Sequence, residues 1–241
     1  YLKEFEIKTK KFLNSKYSVA VNSGTSAIHL AFKAINLKEG DNIIFPAINF
    51  IAAYSMAQLS KANIYLADID YKTGQISPQN IIDCIKKNKI RKIKAFVSMY
   101  LGGSPEYIED FYKLKKKLNC FYIEDACHAF GASYIINNKT YKVGSCMHSD
   151  ICTFSFHPVK TITTGEGGLV TTNNFNFFKK IKEQRSHGII RDKIKHWKYE
   201  INETSLNYRI SEINCLLGLS QIKKTKKFLS KRDMLAKIYN K

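Results

Sequence analysis

Four short stretches of this chain gather residues suited to chemistry rather than to filling a core. The first is Phe154-Ser155-Phe156-His157-Pro158-Val159-Lys160, followed by Thr161-Ile162-Thr163-Thr164-Gly165-Glu166-Gly167-Gly168. Lys160 stands among aromatics, hydroxyls and glycines, unlike the solvated lysines elsewhere. An amine kept from water can add to a carbonyl carbon and form a Schiff base. Ser155 is near enough in sequence to hold a phosphate on the same ligand. The second stretch, Ile123-Glu124-Asp125-Ala126-Cys127-His128, ends an apolar run with two carboxylates. A buried carboxylate needs a partner, and a protonated ring nitrogen would supply one to Asp125; a helix N-cap explains it equally well. The third, Asn22-Ser23-Gly24-Thr25-Ser26-Ala27, is a glycine turn with hydroxyls at a helix start, where free N–H groups suit a phosphate or simply cap the helix. Phe50, after Pro46-Ala47-Ile48-Asn49, could stack on a flat ring or pack in a core. A phosphate cradle, a stacking ring, a carboxylate for a ring nitrogen and an isolated lysine are together what pyridoxal phosphate requires.

These residues need elements to carry them. Apolar runs at Val19–Val21, Ile43–Phe45, Ile64–Ala67, Ile93–Val97 and Phe121–Ile123 alternate with helical patterns over Ile28–Ile35, Tyr54–Leu59, a segment opening at Ser77-Pro78, and Tyr107–Leu118. That alternation predicts an α/β domain with a mainly parallel sheet. In such sheets ligands bind at the carboxyl ends of the strands, where all four stretches fall. Beyond Asp125, glycine turns separate β segments at Ile151–Phe156 and Leu169–Thr172, then a helix is expected over Phe175–His187. From Ser211 a long helix runs to Lys241. The chain opens at Tyr1 within an amphipathic helix, so a longer native N-terminus is expected.

Charge and cysteine content narrow the classes. Among 241 residues, 39 Lys+Arg against 20 Asp+Glu leave a net charge of +19, which raises the question of a polyanionic partner. Only five of the basic residues are arginine, the side chain that reads bases and forks onto phosphates. The lysines are spread along helix faces, so neither nucleic acid nor a membrane is expected as partner. No apolar run approaches the ~18 residues of a membrane span. The six cysteines show no paired spacing and read as small buried residues in a reducing, cytoplasmic compartment; no metal site is expected.

The segments NSGTSAIHLAF, GDNIIFPAINFIAA, YIEDACHAFGASY, FSFHPVKTITTGEGGLVTTNN, RSHGI and LNYRISEINCLLGLSQIKK, in this order, resemble the DegT/StrS-type sugar aminotransferases, and they cover nearly the whole chain. The resemblance implies the large domain of a fold type I pyridoxal-phosphate transferase, with a mostly parallel mixed sheet flanked by helices. Residues 1–222 would form this cofactor-binding domain. Residues 223–241 would begin the helix leading to a C-terminal small domain that the chain lacks. By the same resemblance Lys160 is the Schiff-base lysine, Asp125 pairs with the pyridine nitrogen, His128 lies over the phenolic side of the ring and Phe50 stacks on it. Thr25, Ser26 and Ser155 would hold the phosphate. Asn207 would reach the cofactor of the second subunit of a homodimer with shared active sites, and Arg209 that subunit's sugar nucleotide. The implied reaction moves an amino group from L-glutamate to C4 of a UDP-4-keto-6-deoxy-N-acetylhexosamine, in nucleotide-sugar biosynthesis of the pseudaminic acid type. The alternatives are another substrate, such as GDP-4-keto-6-deoxymannose or a dTDP-keto sugar, or a non-catalytic binding protein of the same fold. Cys127 stands where the family more usually has alanine, a departure expected to be without consequence.

Overall fold

The computed structural model describes residues 1–192, 194–195 and 197–240. Lys241, the last residue of the expected connecting helix, lies outside the described residues. The first half of the chain alternates helix and strand: α1 (Leu2–Leu13), β1 (Tyr17–Val21), α2 (Gly24–Ala34), β2 (Asn42–Pro46), α3 (Ala52–Leu59), β3 (Asn63–Ala67), α4 (Pro78–Lys87), β4 (Ala95–Met99), α5 (Ile108–Leu118) and β5 (Phe121–Asp125). Then come β6 (Ser133–Ile136), β7 (Lys139–Lys142), β8 (Ile151–Ser155), β9 (Gly168–Thr172), α6 (Phe175–Gln184), β10 (Ile189–Arg191), β11 (Tyr199–Ile201) and α7 (Glu212–Tyr239).

Seven strands form one sheet in the order β1-β9-β8-β5-β4-β2-β3. Neighbours β3, β2, β4, β5 and β8 pair in parallel, and β9 runs against both β8 and β1. The sheet is therefore mixed and mostly parallel, as expected. Its central strands are buried on both faces, which is why they read as continuous apolar runs. Alternation of side chains sorts the core. Ile123 and Ile151 pack with α2 and α3 residues such as Leu30 and Ala53, whereas Tyr122 packs with Phe111 and Leu114 of α5 on the opposite face.

The helix opening at Ser77-Pro78 forms as read, with Ser77 and Asn80 closing a reciprocal capping box. Three boundaries differ from expectation. Ile93 is buried but precedes its strand, because pairing with β2 and β5 opens only at Ala95; β4 then runs on to Met99, opposite Asp125. The helix expected to reach His187 stops at Gln184, since His187 and Gly188 take positive φ and Ser186 bridges to Asn207. The β6–β7 hairpin turns on Asn137 and Asn138, both left-handed, a two-residue signal without a glycine to mark it. Finally, α7 crosses residue 222 without a break, and its buried residues end at Thr225.

Candidate active site

The cleft is built where β1, β5 and β8 end. On β5 and β8 the odd-numbered residues face α2, so Asp125 and Ser155 emerge at the same end of the same face. Helix α2 begins over them, capped by Ser23, whose side chain accepts the Ser26 N–H at 3.1 Å. Its first residue must be glycine here, because a Cβ on Gly24 would lie 2.8 Å from Cβ of Ser155. Lys160 comes from the turn after β8, which closes with Lys160 N–H donating to the His157 carbonyl at 3.0 Å. That turn is anchored from behind. Thr163 Oγ1 and the Thr164 N–H both donate to the Phe156 carbonyl, and Asn214 Nδ2 at the start of α7 donates to the Glu166 carbonyl.

These elements enclose a cavity of about 600 Å³. Thr25, Phe50, Asp125, His128, Ser155 and Lys160 all line it, six of the residues expected from sequence. Ile28, Ala52 and Met99 supply apolar wall. Among the described residues, Lys160 Nζ and the Thr25 hydroxyl have no hydrogen-bond partner and Lys160 no ion pair; both are free to meet a ligand.

Asp125 is 3% exposed, and burial pushes its carboxyl above the ordinary range. Opposing this are Cys127, whose N–H donates to Oδ1 at 3.2 Å and whose thiol also donates, and the charges of His128 and Lys160. A carboxylate in that condition gains from a cationic donor placed against it. His128 is pushed down, first by burial and then by the Lys160 ammonium, so its imidazole is neutral near pH 7. Burial also raises the Cys127 thiol, which Asp125 raises further. Cys127 is thus a direct neighbour of the key carboxylate. His157 and Glu166, also on the cleft, approach to 3.9 Å; neither was anticipated, though both lie in the Lys160 segment.

Three expected residues sit elsewhere. The Ser26 hydroxyl donates to Asn22 Oδ1 at 2.6 Å and meets Ser23 Oγ at 2.9 Å, so it is spent inside the helix cap rather than on the cavity wall. Asn207 is exposed; its Oδ1 accepts from the Arg209 N–H and its carbonyl from Asn22 Nδ2. Arg209 donates to Ser186 Oγ at 2.8 Å. Neither lines this chain's own cleft. Phe50 borders it but is 71% exposed, with no ring stacked on it among the described residues.

The sheet order and the placement of the cleft are those of the large domain of a fold type I transferase. The DegT/DnrJ/EryC1/StrS aminotransferase family model matches residues 1–241, and the chain belongs to that family. It is 37% identical over 238 residues to the UDP-4-amino-4,6-dideoxy-N-acetyl-beta-L-altrosamine transaminase of Campylobacter jejuni subsp. jejuni serotype O:23/36, covering 99% of this chain and 60% of the relative. It is 34% identical over 241 residues to GDP-perosamine synthase of Escherichia coli O157:H7, covering all of this chain and 62% of that protein. Helicobacter pylori PseC, described as an aminotransferase involved in the biosynthesis of pseudoaminic acid, superposes with a TM-score of 0.81 at 33% identity, over 93% of this chain and 58% of that one. The chain thus spans about 60% of the length of the curated relatives it matches.

Proposed function

We propose that this chain carries the cofactor site of a pyridoxal-phosphate-dependent sugar aminotransferase that uses L-glutamate and a keto-sugar nucleotide. The observation that carries the reading is that one cavity is lined both by a lysine amine and by a buried carboxylate, and that among the described residues the amine is unpaired and the carboxylate's donors come from Cys127 alone. The residues present fit the cofactor. The start of α2, with Thr25 and Ser155, suits its phosphate, and Ile28 with Phe50 suits the ring faces. When bound, pyridoxal phosphate supplies an aldehyde for amine exchange and a ring that withdraws electrons.

The chain's own groups then have defined tasks. Asp125 would hold a proton on the ring nitrogen, and that ion pair would offset its desolvation. Lys160 would hold the aldehyde and, as a free amine, would move a proton off the donor's α-carbon as a general base. Neutral His128 would border the ring without adding charge. Asn207 and Arg209, exposed and away from this cleft, are placed in our reading against the site of a second copy in a homodimer. Exposed Ile48, Phe50 and Ile51 beside the cleft support such a contact.

For the acceptor we propose C4 of a UDP-4-keto-6-deoxy-N-acetylhexosamine, supported by the similarity to the altrosamine transaminase and to PseC. The similar match to GDP-perosamine synthase supports GDP-4-keto-6-deoxymannose as the second reading. The test is direct. The protein mixed with pyridoxal phosphate should gain visible absorbance, lose it on adding L-glutamate, and regain it with the correct keto-sugar nucleotide. No absorbance change on adding glutamate refutes amino transfer; recovery with the GDP sugar alone selects the second reading.

A further inference from the structure

The cleft presents an imbalance of charge for an acidic amino donor. From this chain, its fixed charges are the acids Asp125 and Glu166 and the amine of Lys160, which is committed to chemistry. His128 is neutral near pH 7 for the reasons given above, and His157 already lies near Glu166. None of these is a standing cation that could hold the carboxylates of glutamate. One is found immediately beside the cleft. A side recess of about 240 Å³ shares His128, Val159 and Lys160 with it, and Arg232 of α7 stands on its wall.

Arg232 reaches across from a helix distant in sequence, and its Nη2 donates to the Lys160 carbonyl at 3.3 Å. A guanidinium carries five N–H donors in a planar fork. Among the described residues that carbonyl is its one hydrogen-bond partner, and it has no ion pair. It is therefore tied by one bond to the backbone of the reactive lysine, with the rest of the fork unspent. We propose that Arg232 recognises a carboxylate of the dicarboxylic amino donor, making it a specificity-determining residue. The inference rests on the proposed amino-transfer function and adds to it the group that selects the donor. A guanidinium matches a carboxylate through two parallel N–H donors, which a lysine in its place would not reproduce.

Two variants test this. Arg232→Gln keeps an N–H for the Lys160 carbonyl but removes the charge, and Arg232→Lys keeps the charge but not the fork. The probe is glutarate, an unreactive five-carbon dicarboxylate, with binding measured by calorimetry on the cofactor-loaded protein. Arg232→Gln should weaken glutarate about 10- to 100-fold and raise half-saturating glutamate by a similar factor, as expected for loss of one charged hydrogen-bonding partner. Arg232→Lys should retain part of the affinity. The absorbance of the lysine-bound cofactor and the KM for the sugar nucleotide should be unchanged in both. Glutamine as donor then identifies the carboxylate. A loss in Arg232→Gln seen with glutamate but not glutamine assigns the side-chain carboxylate; an equal loss with both assigns the α-carboxylate. Unchanged glutarate affinity in Arg232→Gln overturns the inference, as does an equal loss for the sugar nucleotide or a disturbed cofactor spectrum. Failure of the underlying function shows separately, as missing cofactor absorbance in the unsubstituted protein.

Discussion

Glu124 and Asp125 are adjacent on β5, both almost wholly buried, and both pushed upward by desolvation, yet they face different worlds. Glu124 points to the α5 side of the sheet, into a closed set of hydroxyls. Tyr100 donates to its Oε1 at 2.6 Å and Ser149 to its Oε2 at 2.9 Å. Tyr122 and Ser98 extend the chain of contacts, with Tyr122 3.0 Å from Tyr100 and 2.9 Å from Ser98 between oxygens. Asp125, one residue on, points to the α2 side, where among the described residues its donors come from Cys127 alone and the cavity takes the remaining space. The difference follows from the two-residue period of a strand. One carboxyl has been completed by the protein, while the other is left for a ligand to complete.

The largest effect is expected from the open side: Lys160→Ala should abolish the visible absorbance of bound cofactor and lower transfer by about 10³-fold or more, since it removes both the attachment point and the base. The folded chain should persist, because Lys160 makes no side-chain hydrogen bond or ion pair among the described residues. Unchanged absorbance would end the reading of the cleft. Next, Asp125→Asn keeps the size and removes the charge. It should cost about 10²- to 10³-fold in kcat, the scale of one lost preorganised electrostatic partner, with glutamate KM changing much less; a purely structural Asp125 would instead lower thermal stability.

The closed side has a different signature, in stability rather than rate. Because the Glu124 pKa is raised in the folded state, its stabilising contribution is complete below about 4.5 and is lost as pH rises through the raised value. Glu124→Gln keeps an acceptor for Tyr100 and has no proton to lose, so the decline of melting temperature with rising pH should flatten. Asp125 contributes a decline of the same sign without cofactor. Pyridoxal phosphate should remove the Asp125 share and leave that of Glu124. If it removes neither, Asp125 does not meet the ring nitrogen. The smallest effect is expected for Cys127→Ala, which takes one weak donor from Asp125. Activity should fall less than about tenfold, with the Asp125-dependent part of the pH profile moved upward.

Much of this was legible before any fold was known. Lys160 was distinguishable because it lies in a loop rich in aromatics, hydroxyls and glycines rather than on a helix face, and Asp125 because a carboxylate ends an apolar strand. Other placements depend on more than the local sequence. Ser26 resembles Thr25 in type and position, but helical geometry turns its hydroxyl back to Asn22 and Ser23. Cys127 looked like a neutral replacement, since nothing local says that its thiol meets Asp125. Arg232 lies 72 residues from Lys160 on an exposed, ordinary-looking helix, and no local pattern links the two. The β6–β7 hairpin turns on left-handed Asn137 and Asn138, which give a weaker turn signal than glycine.

What the amino-acid order determines on its own is the period of each element, the caps and turns, and the chemical kinds placed at strand ends, because these depend on neighbours within a few residues. Which hydroxyl faces the cavity, which of two adjacent carboxyls is sealed, and which distant arginine touches the lysine loop were decided by packing. Strand register and helix approach set those directions, down to a glycine at 24 that leaves room for Ser155.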